Sequence, residues 1–336
     1  GDALMNYDRV INRRIADVPP SGIRKFFDIL EEMTDAISLG IGEPDFITPW
    51  HIREAGIKSL EKGRTWYTAN AGLIELRQEA SKYLKRRFNL DYDSKDIFIT
   101  VGGSEAIDAA IRALVNYGDE VLVPEPSFVC YAPMVQLTGG VAVPIETRVE
   151  DKFKLTAKQL LEKITPKTKA LILPFPNNPT GAVMRREDLE EIAAVLRDKN
   201  IIVISDEIYS ELTYGGVPHV SIAEIDGMKE RTIVINGFSK AFAMTGWRLG
   251  FAAGPEPILT QMLKIHQYAI MCSPTVSQFA AITALRECRA DVDNMVSEYD
   301  MRRKLIVKGF NEMGLECFEP EGAFYVFPCI KSTGMT

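Results

Sequence analysis

Residues 170–209 read ALILPFPNNPTGAVMRREDLEEIAAVLRDKNIIVISDEIY, and three patterns follow one another in that stretch. Residues 170–173 form a short apolar run of the kind that makes a buried strand. Residues 174–181 are so rich in proline and amides that their backbone is predicted to be a fixed, extended turn. Leu189, Ile192, Ala193 and Leu196 then recur at a spacing of three or four, while Glu187, Glu190, Arg197 and Lys199 fall elsewhere. This predicts a helix over 186–199 with one buried face. Residues 201–204 are a second apolar run, ending on Ser205-Asp206-Glu207. Strand, helix, strand is the repeating unit of an α/β domain with a mostly parallel sheet.

The same alternation extends outward in both directions. Strands are predicted at 97–101, 120–123, 141–145, 170–173, 201–204, 232–235 and 249–253, seven in all, with a further helix at 104–117. A long helical region is expected to run from Pro255 past Pro274, and a second over 290–313. Residues 314–328 read as strands of a smaller α+β unit, with which the N-terminal residues to about 49 would pack. The expected division is an N-terminal arm and part of the small domain at 1–49, a large domain at 50–289, and a small C-terminal domain at 290–336.

Composition narrows the function classes. With 46% hydrophobic and 25% charged residues, the 336-residue chain is ordinary globular protein, and its net charge of −7 gives no electrostatic reason to bind nucleic acid. Five scattered cysteines without CxxC or histidine pairing indicate neither a zinc site nor a disulfide framework. No run approaches the roughly 18 apolar residues of a membrane helix. A soluble, cytoplasmic protein acting on small metabolites is expected.

In open parallel sheets, ligands bind beyond the carboxyl ends of the strands. Four of these ends carry suggestive chemistry. Gly102-Gly103-Ser104-Glu105 follows the first strand; its glycines permit close approach, Ser104 is expected to cap the helix, and the free amides of a helix start favour phosphate. The turn at 174–181 can aim an asparagine side chain or simply be structural. Asp206 closes a strand buried on both faces, where a carboxylate is costly unless a cation pairs with it, whether a ligand's or an arginine's. Lys240 sits among Phe238, Ala241, Phe242 and Met244, where desolvation lowers an amine from its usual pKa of roughly 10.4 and makes it nucleophilic. Arg248 follows eight residues later.

The run Phe238-Ser239-Lys240-Ala241-Phe242-Ala243-Met244-Thr245-Gly246-Trp247-Arg248-Leu249-Gly250, with Asn178-Pro179-Thr180-Gly181 and Asp206-Glu207-Ile208-Tyr209, resembles the class I and II aminotransferases. These are pyridoxal 5′-phosphate (PLP) enzymes of fold type I. Leu39-Gly40-Ile41-Gly42-Glu43-Pro44-Asp45-Phe46, Tyr67 ahead of Gly72-Leu73-Ile74-Glu75-Leu76-Arg77, and Gly322-Ala323-Phe324-Tyr325 agree with it. The chain resembles bacterial and archaeal enzymes acting on aspartate, aromatic or related amino acids, without a ranking among them.

The resemblance implies PLP as cofactor and transfer of the amino group of an L-amino acid to a 2-oxo acid such as 2-oxoglutarate, by way of pyridoxamine phosphate. It implies that Lys240 holds the cofactor as a Schiff base and shuttles the proton, and that Asp206 pairs with the ring nitrogen. Asn178 and Tyr209 would bond the phenolic oxygen, and Phe128 would stack on the ring. Arg248, Gly103, Ser104 and Ser239 would take the phosphate. Gly42 and Ile23, with Asn178, would face the substrate. Tyr67 would reach the phosphate of a neighbouring subunit, which implies a homodimer.

Two departures qualify the match. The family's arginine for the substrate carboxylate lies beyond the segment 322–328, and no arginine of this chain takes that role, so the sequence is expected to be truncated. Gly237 stands where some relatives have a phosphate-binding serine, leaving Ser239 and Arg248 more of that contact. A PLP-dependent C–S lyase would use the same lysine and aspartate, but 177–181 and 243–248 resemble the aminotransferase branch more closely. A PLP-sensing regulator would carry a basic recognition helix, and the residues ahead of Gly42 lack one.

Overall fold

The computed structural model describes residues 5–335. Its centre is a seven-stranded sheet of β1 (Ile97–Thr100), β2 (Glu120–Glu125), β3 (Val141–Glu146), β4 (Thr168–Pro174), β5 (Ile202–Asp206), β6 (Thr232–Gly237) and β7 (Gly250–Ala253), in the order β1-β7-β6-β5-β4-β2-β3. All seven predicted strands are present. The pairs from β3 through β6 are parallel, whereas β7 runs antiparallel to both of its neighbours, β6 and β1.

Eleven α-helices are found among the described residues. Those ahead of the sheet are α1 (Arg13–Ala16), α2 (Ile23–Glu32), α3 (Trp50–Glu61) and α4 (Ile74–Phe88). Within the alternating region come α5 (Gly102–Leu114), α6 (Tyr131–Leu137), α7 (Ala157–Lys163) and α8 (Arg186–Leu196). Then follow α9 (Glu256–Ala269), α10 (Thr275–Glu287) and α11 (Arg289–Glu312).

Side chains alternate across the strands, so each strand supplies two cores. Ala170 and Ile172 of β4 join Ile204, Ile235 and the faces of α5 and α9, while Leu171 and Leu173 join Leu189, Ile192, Ala193 and Leu196 of α8 on the other side. Each fully buried aliphatic side chain contributes about 2 kcal/mol. The helix α8 is stopped from fraying at its start by Asp188, whose carboxylate accepts the Arg185 N–H at 2.8 Å and the Lys154 ammonium at 2.7 Å.

Three expectations need correction. The helix α5 begins at Gly102 rather than at a Ser104 cap; Ser104 lies inside the first turn, and the Glu105 carboxylate accepts the Val101 N–H at 3.0 Å instead. The region from 255 past 274 is two helices, parted at Ile270–Pro274, because the proline ring disfavours helical backbone at the residue before it. Residues 314–328 form no strand. Only isolated bridges occur there, Thr213 to Gly322 and Cys317 to Pro328, because this segment spends its backbone hydrogen bonds on loops rather than on a neighbouring strand.

Candidate active site

The carboxyl ends of β1, β4, β5 and β6 and the start of β7 share one rim of the sheet. Reversal of β7 brings Arg248, which precedes it, back to the rim where Lys240 follows β6. The anion cup is the clearest element. Gly102 has φ +73°, and a Cβ there would lie 2.7 Å from Nη2 of Arg248, so the guanidinium covers the start of α5. A Cβ on Gly250 would meet the Gly102 carbonyl carbon and the Gly103 nitrogen at 2.8 Å, so the helix start rests directly on the strand. The start of α5, where the first amides of a helix lack intrahelical partners, therefore lies beside Arg248, an arrangement that suits a phosphate. Gly237 is tightly placed: a Cβ would meet Cδ1 of Ile208 at 2.8 Å and Cα of Gly250 at 3.1 Å, so a serine there would require Ile208 to shift. Ser239 is buried two residues further on.

Asp206 ends β5 and is 8% exposed. Its Oδ2 accepts from the Tyr131 hydroxyl at 2.5 Å and its Oδ1 from the Ile208 N–H at 3.3 Å. Burial pushes its pKa up, and those two hydrogen bonds act in the opposite direction. Among the described residues it has no ion-pair partner; Arg77, Arg231 and the other arginines are engaged elsewhere or lie outside ion-pair distance. The sequence left open whether a ligand or an arginine neutralises this carboxylate, and among the described residues no arginine does.

Lys240 is largely buried, and burial lowers its pKa; Arg248 lowers it further, against the opposing pull of Glu43 and Asp206. Its Nζ donates to the Gly42 carbonyl at 2.5 Å and lies 5.9 Å and 5.6 Å from the ring centres of Tyr209 and Phe324. The loop that carries it is fixed by the Ala243 carbonyl, which accepts from Thr48 Oγ1 at 2.5 Å, and by Trp247 Nε1, which donates to the same hydroxyl at 3.0 Å. Tyr209, 4% exposed, shares a 2.5 Å contact between its hydroxyl and that of Tyr325.

The turn after β4 is held by Asn177 N–H to Ala182 O and Gly181 N–H to Asn177 O, both 2.9 Å, and leaves Asn178 half-buried behind it. Phe128 packs edge-on against Tyr131 at 6.0 Å. The structure thus gathers Lys240, Asp206, Tyr209, Arg248, Gly103, Ser104 and Gly42 into one region. Tyr67 is 75% exposed on a stretch whose backbone is tied to α10 by Thr275 Oγ1, which donates to Trp66 O at 2.6 Å. Ile23 opens α2 at 38% exposure and joins none of the packed clusters.

Sequence reasoning missed Tyr131, Tyr325 and the buried pair of Glu105 with Nδ1 of His266, which ties the start of α5 to α9. Tyr325 stood in a quoted motif, but its partner lies 116 positions away, and no local pattern announces that. Tyr131 could have been sought as the hydroxyl one turn after Phe128.

The donor set fits PLP: backbone amides and an arginine for a phosphate, a buried uncompensated carboxylate for a protonated ring nitrogen, and a desolvated amine for an aldehyde. The fold and this rim define a cofactor-dependent α/β enzyme. Residues 34–335 match the family described as aminotransferase class I and II. An aspartate aminotransferase of Pyrococcus abyssi is 50% identical over 326 residues, covering 96% of this chain and 84% of the relative. Aromatic-amino-acid aminotransferase 2 of Thermococcus litoralis is 47% identical over 329 residues, covering 97% and 85%. The crystal structure of a Pyrococcus protein superposes with a TM-score of 0.93 at 49% identity, over 96% of this chain and 84% of that one.

The chain belongs to the class I and II aminotransferases. It is a PLP-dependent enzyme that moves amino groups between amino acids and oxo acids, and the lyase alternative is not favoured. No helix among the described residues is long and apolar enough to cross a membrane.

Proposed function

We propose that the enzyme accepts the amino group of aspartate or an aromatic L-amino acid and passes it to 2-oxoglutarate, with Lys240 as covalent anchor and proton shuttle. The observation that carries this reading is the buried carboxylate of Asp206, without a cation of its own, on the same rim as the desolvated amine of Lys240. Bound PLP supplies an electron-poor ring that accepts the electrons released when the substrate Cα loses its proton. Asp206 holds the proton on the ring nitrogen. Arg248 and the amides of Gly103 and Ser104, with Ser239, hold the phosphate.

Asn178 and Tyr209 would donate to the phenolic oxygen, and Phe128 would pack against the ring. Lys240, whose pKa burial lowers from the ordinary lysine value, would take the substrate Cα proton once its amine is free. The donor classes rest on relatives named for aspartate and for aromatic amino acids. Gly42, whose carbonyl holds the Lys240 amine, faces the substrate, and Ile23 lies toward the entrance.

The enzyme works as a homodimer in a reducing, cytoplasmic setting. Trp66 and Tyr67 are more than half exposed, which suits a covered surface, with Tyr67 directed at the phosphate of the partner's site; the cysteines are all unpaired. The test is two-part. Borohydride reduction of PLP-loaded enzyme is expected to label the peptide containing Lys240, and aspartate or phenylalanine to convert the cofactor stoichiometrically to its amine form without free ammonia. A label on another peptide, or release of ammonia and pyruvate from cysteine, would overturn the proposal.

A further inference from the structure

We propose that Tyr325 is a positioning residue that acts on the bound cofactor through Tyr209. The inference rests on the reading that Tyr209 donates to the phenolic oxygen. The two tyrosine hydroxyls are 2.5 Å apart, and each has one proton to give. If Tyr209 gives its proton to the cofactor, only Tyr325 can supply the hydrogen in the contact between them. A hydroxyl that accepts a hydrogen bond is a stronger donor in its turn, the more so in a low-dielectric site.

The Tyr325 hydroxyl is held in place from three sides. Its segment is fixed by Ala323 N–H to Leu212 O at 2.9 Å, by the Tyr214 hydroxyl donating to Ala323 O at 2.5 Å, and by Gly322 N–H to Gly181 O at 2.9 Å. Its ring packs edge-on against Phe324 at 4.9 Å and Tyr209 at 5.8 Å. Its oxygen fills the place where a Cβ on Gly42 would stand, 2.1 Å away, and Gly42 is the residue whose carbonyl receives the Lys240 amine. Burial raises the pKa of both phenols, that of Tyr325 to about 12, so each keeps its proton in the working range. The other titratable groups bearing on this pair and on Lys240 are Asp206, Tyr299, Glu43 and Arg248.

A donor to the phenolic oxygen competes with the proton held where the cofactor joins Lys240. Weakening that donor lets the proton stay bound to higher pH. The readout is the pH midpoint of the visible absorbance of PLP-loaded enzyme without substrate. Tyr325→Phe, which keeps the ring, is expected to raise the midpoint by about 0.5 unit. Tyr209→Phe is expected to raise it further, and the double variant to match Tyr209→Phe alone.

An unchanged midpoint in Tyr325→Phe, with a clear shift in Tyr209→Phe, would refute the relay and leave the role of Tyr209 intact. Additive shifts in the double variant would refute it as well, since Tyr325 would then act by another route. A Tyr209→Phe variant without any shift would instead remove the underlying contact, and the relay with it.

Discussion

At the scale of single residues, the site is governed by what burial does to charge. Asp206 is pushed toward its neutral form by desolvation and held toward its charged form by the Tyr131 hydroxyl at 2.5 Å. Only the charged form pairs with a protonated ring nitrogen. Tyr131→Phe therefore raises the Asp206 pKa further, and the pH below which the cofactor is lost moves up. The bond is made without the cofactor as well, so its loss weakens PLP binding only where Asp206 becomes protonated: affinity in the variant should fall away from a higher pH than in the parent, by up to about tenfold per pH unit. Titration of PLP into apoenzyme across pH checks this; equal affinity at every pH would contradict it. The aspartate could be singled out in the sequence because a polar residue at the end of an apolar strand is itself a signal, and the lysine because its loop neighbours are apolar. Tyr131 and Tyr325 were not, since their partners are set by tertiary folding alone.

At the scale of elements, strand positions were legible throughout because apolar runs bounded by turns are a local pattern, and the structure moves their ends by no more than two residues. Helix starts were less so. Ser104 looked like a cap, yet the chain reaches across to Glu105, whose carboxylate also meets His266 of α9. That pair joins the anion cup to a helix some 160 residues later in the chain. His266 is completely buried, with its second ring nitrogen unbonded among the described residues. His266→Ala leaves the Glu105 carboxylate short of a partner and opens a cavity, and should cost about 2–3 kcal/mol. Chemical denaturation of the apoenzyme would register this, and a variant within about 0.5 kcal/mol of the parent would rule the pair out as a structural tie.

At the scale of the whole molecule, the unit around α11 was the least legible part, because residues 314–328 carry the composition of strands without neighbours to pair with. Val292, Met295 and Tyr299 of α11 pack into cores shared with the sheet domain, and a polar contact adds to them. Glu211, buried after β5, binds Arg87 of α4 at 2.9 Å and also Arg289, the first residue of α11. Tolerance of inserted residues should follow this architecture. Gly215 and Gly216 are exposed, with open space around them, so a four-residue Gly/Ser insert there should change stability by less than about 1 kcal/mol and spare PLP binding. The same insert between Ala243 and Met244, both buried, should abolish PLP retention. Absorbance of the purified variants after desalting separates the two outcomes.

The reversed direction of β7 has a bearing on how such enzymes can be recombined. Because the chain doubles back, the proposed covalent anchor and the proposed anion grip ride on a single hairpin, residues 232–253, and are inherited together. A chimaera that exchanges this block whole keeps Lys240 and Arg248 in register with each other, whereas a crossover inside it would splice one parent's amine to the other's guanidinium.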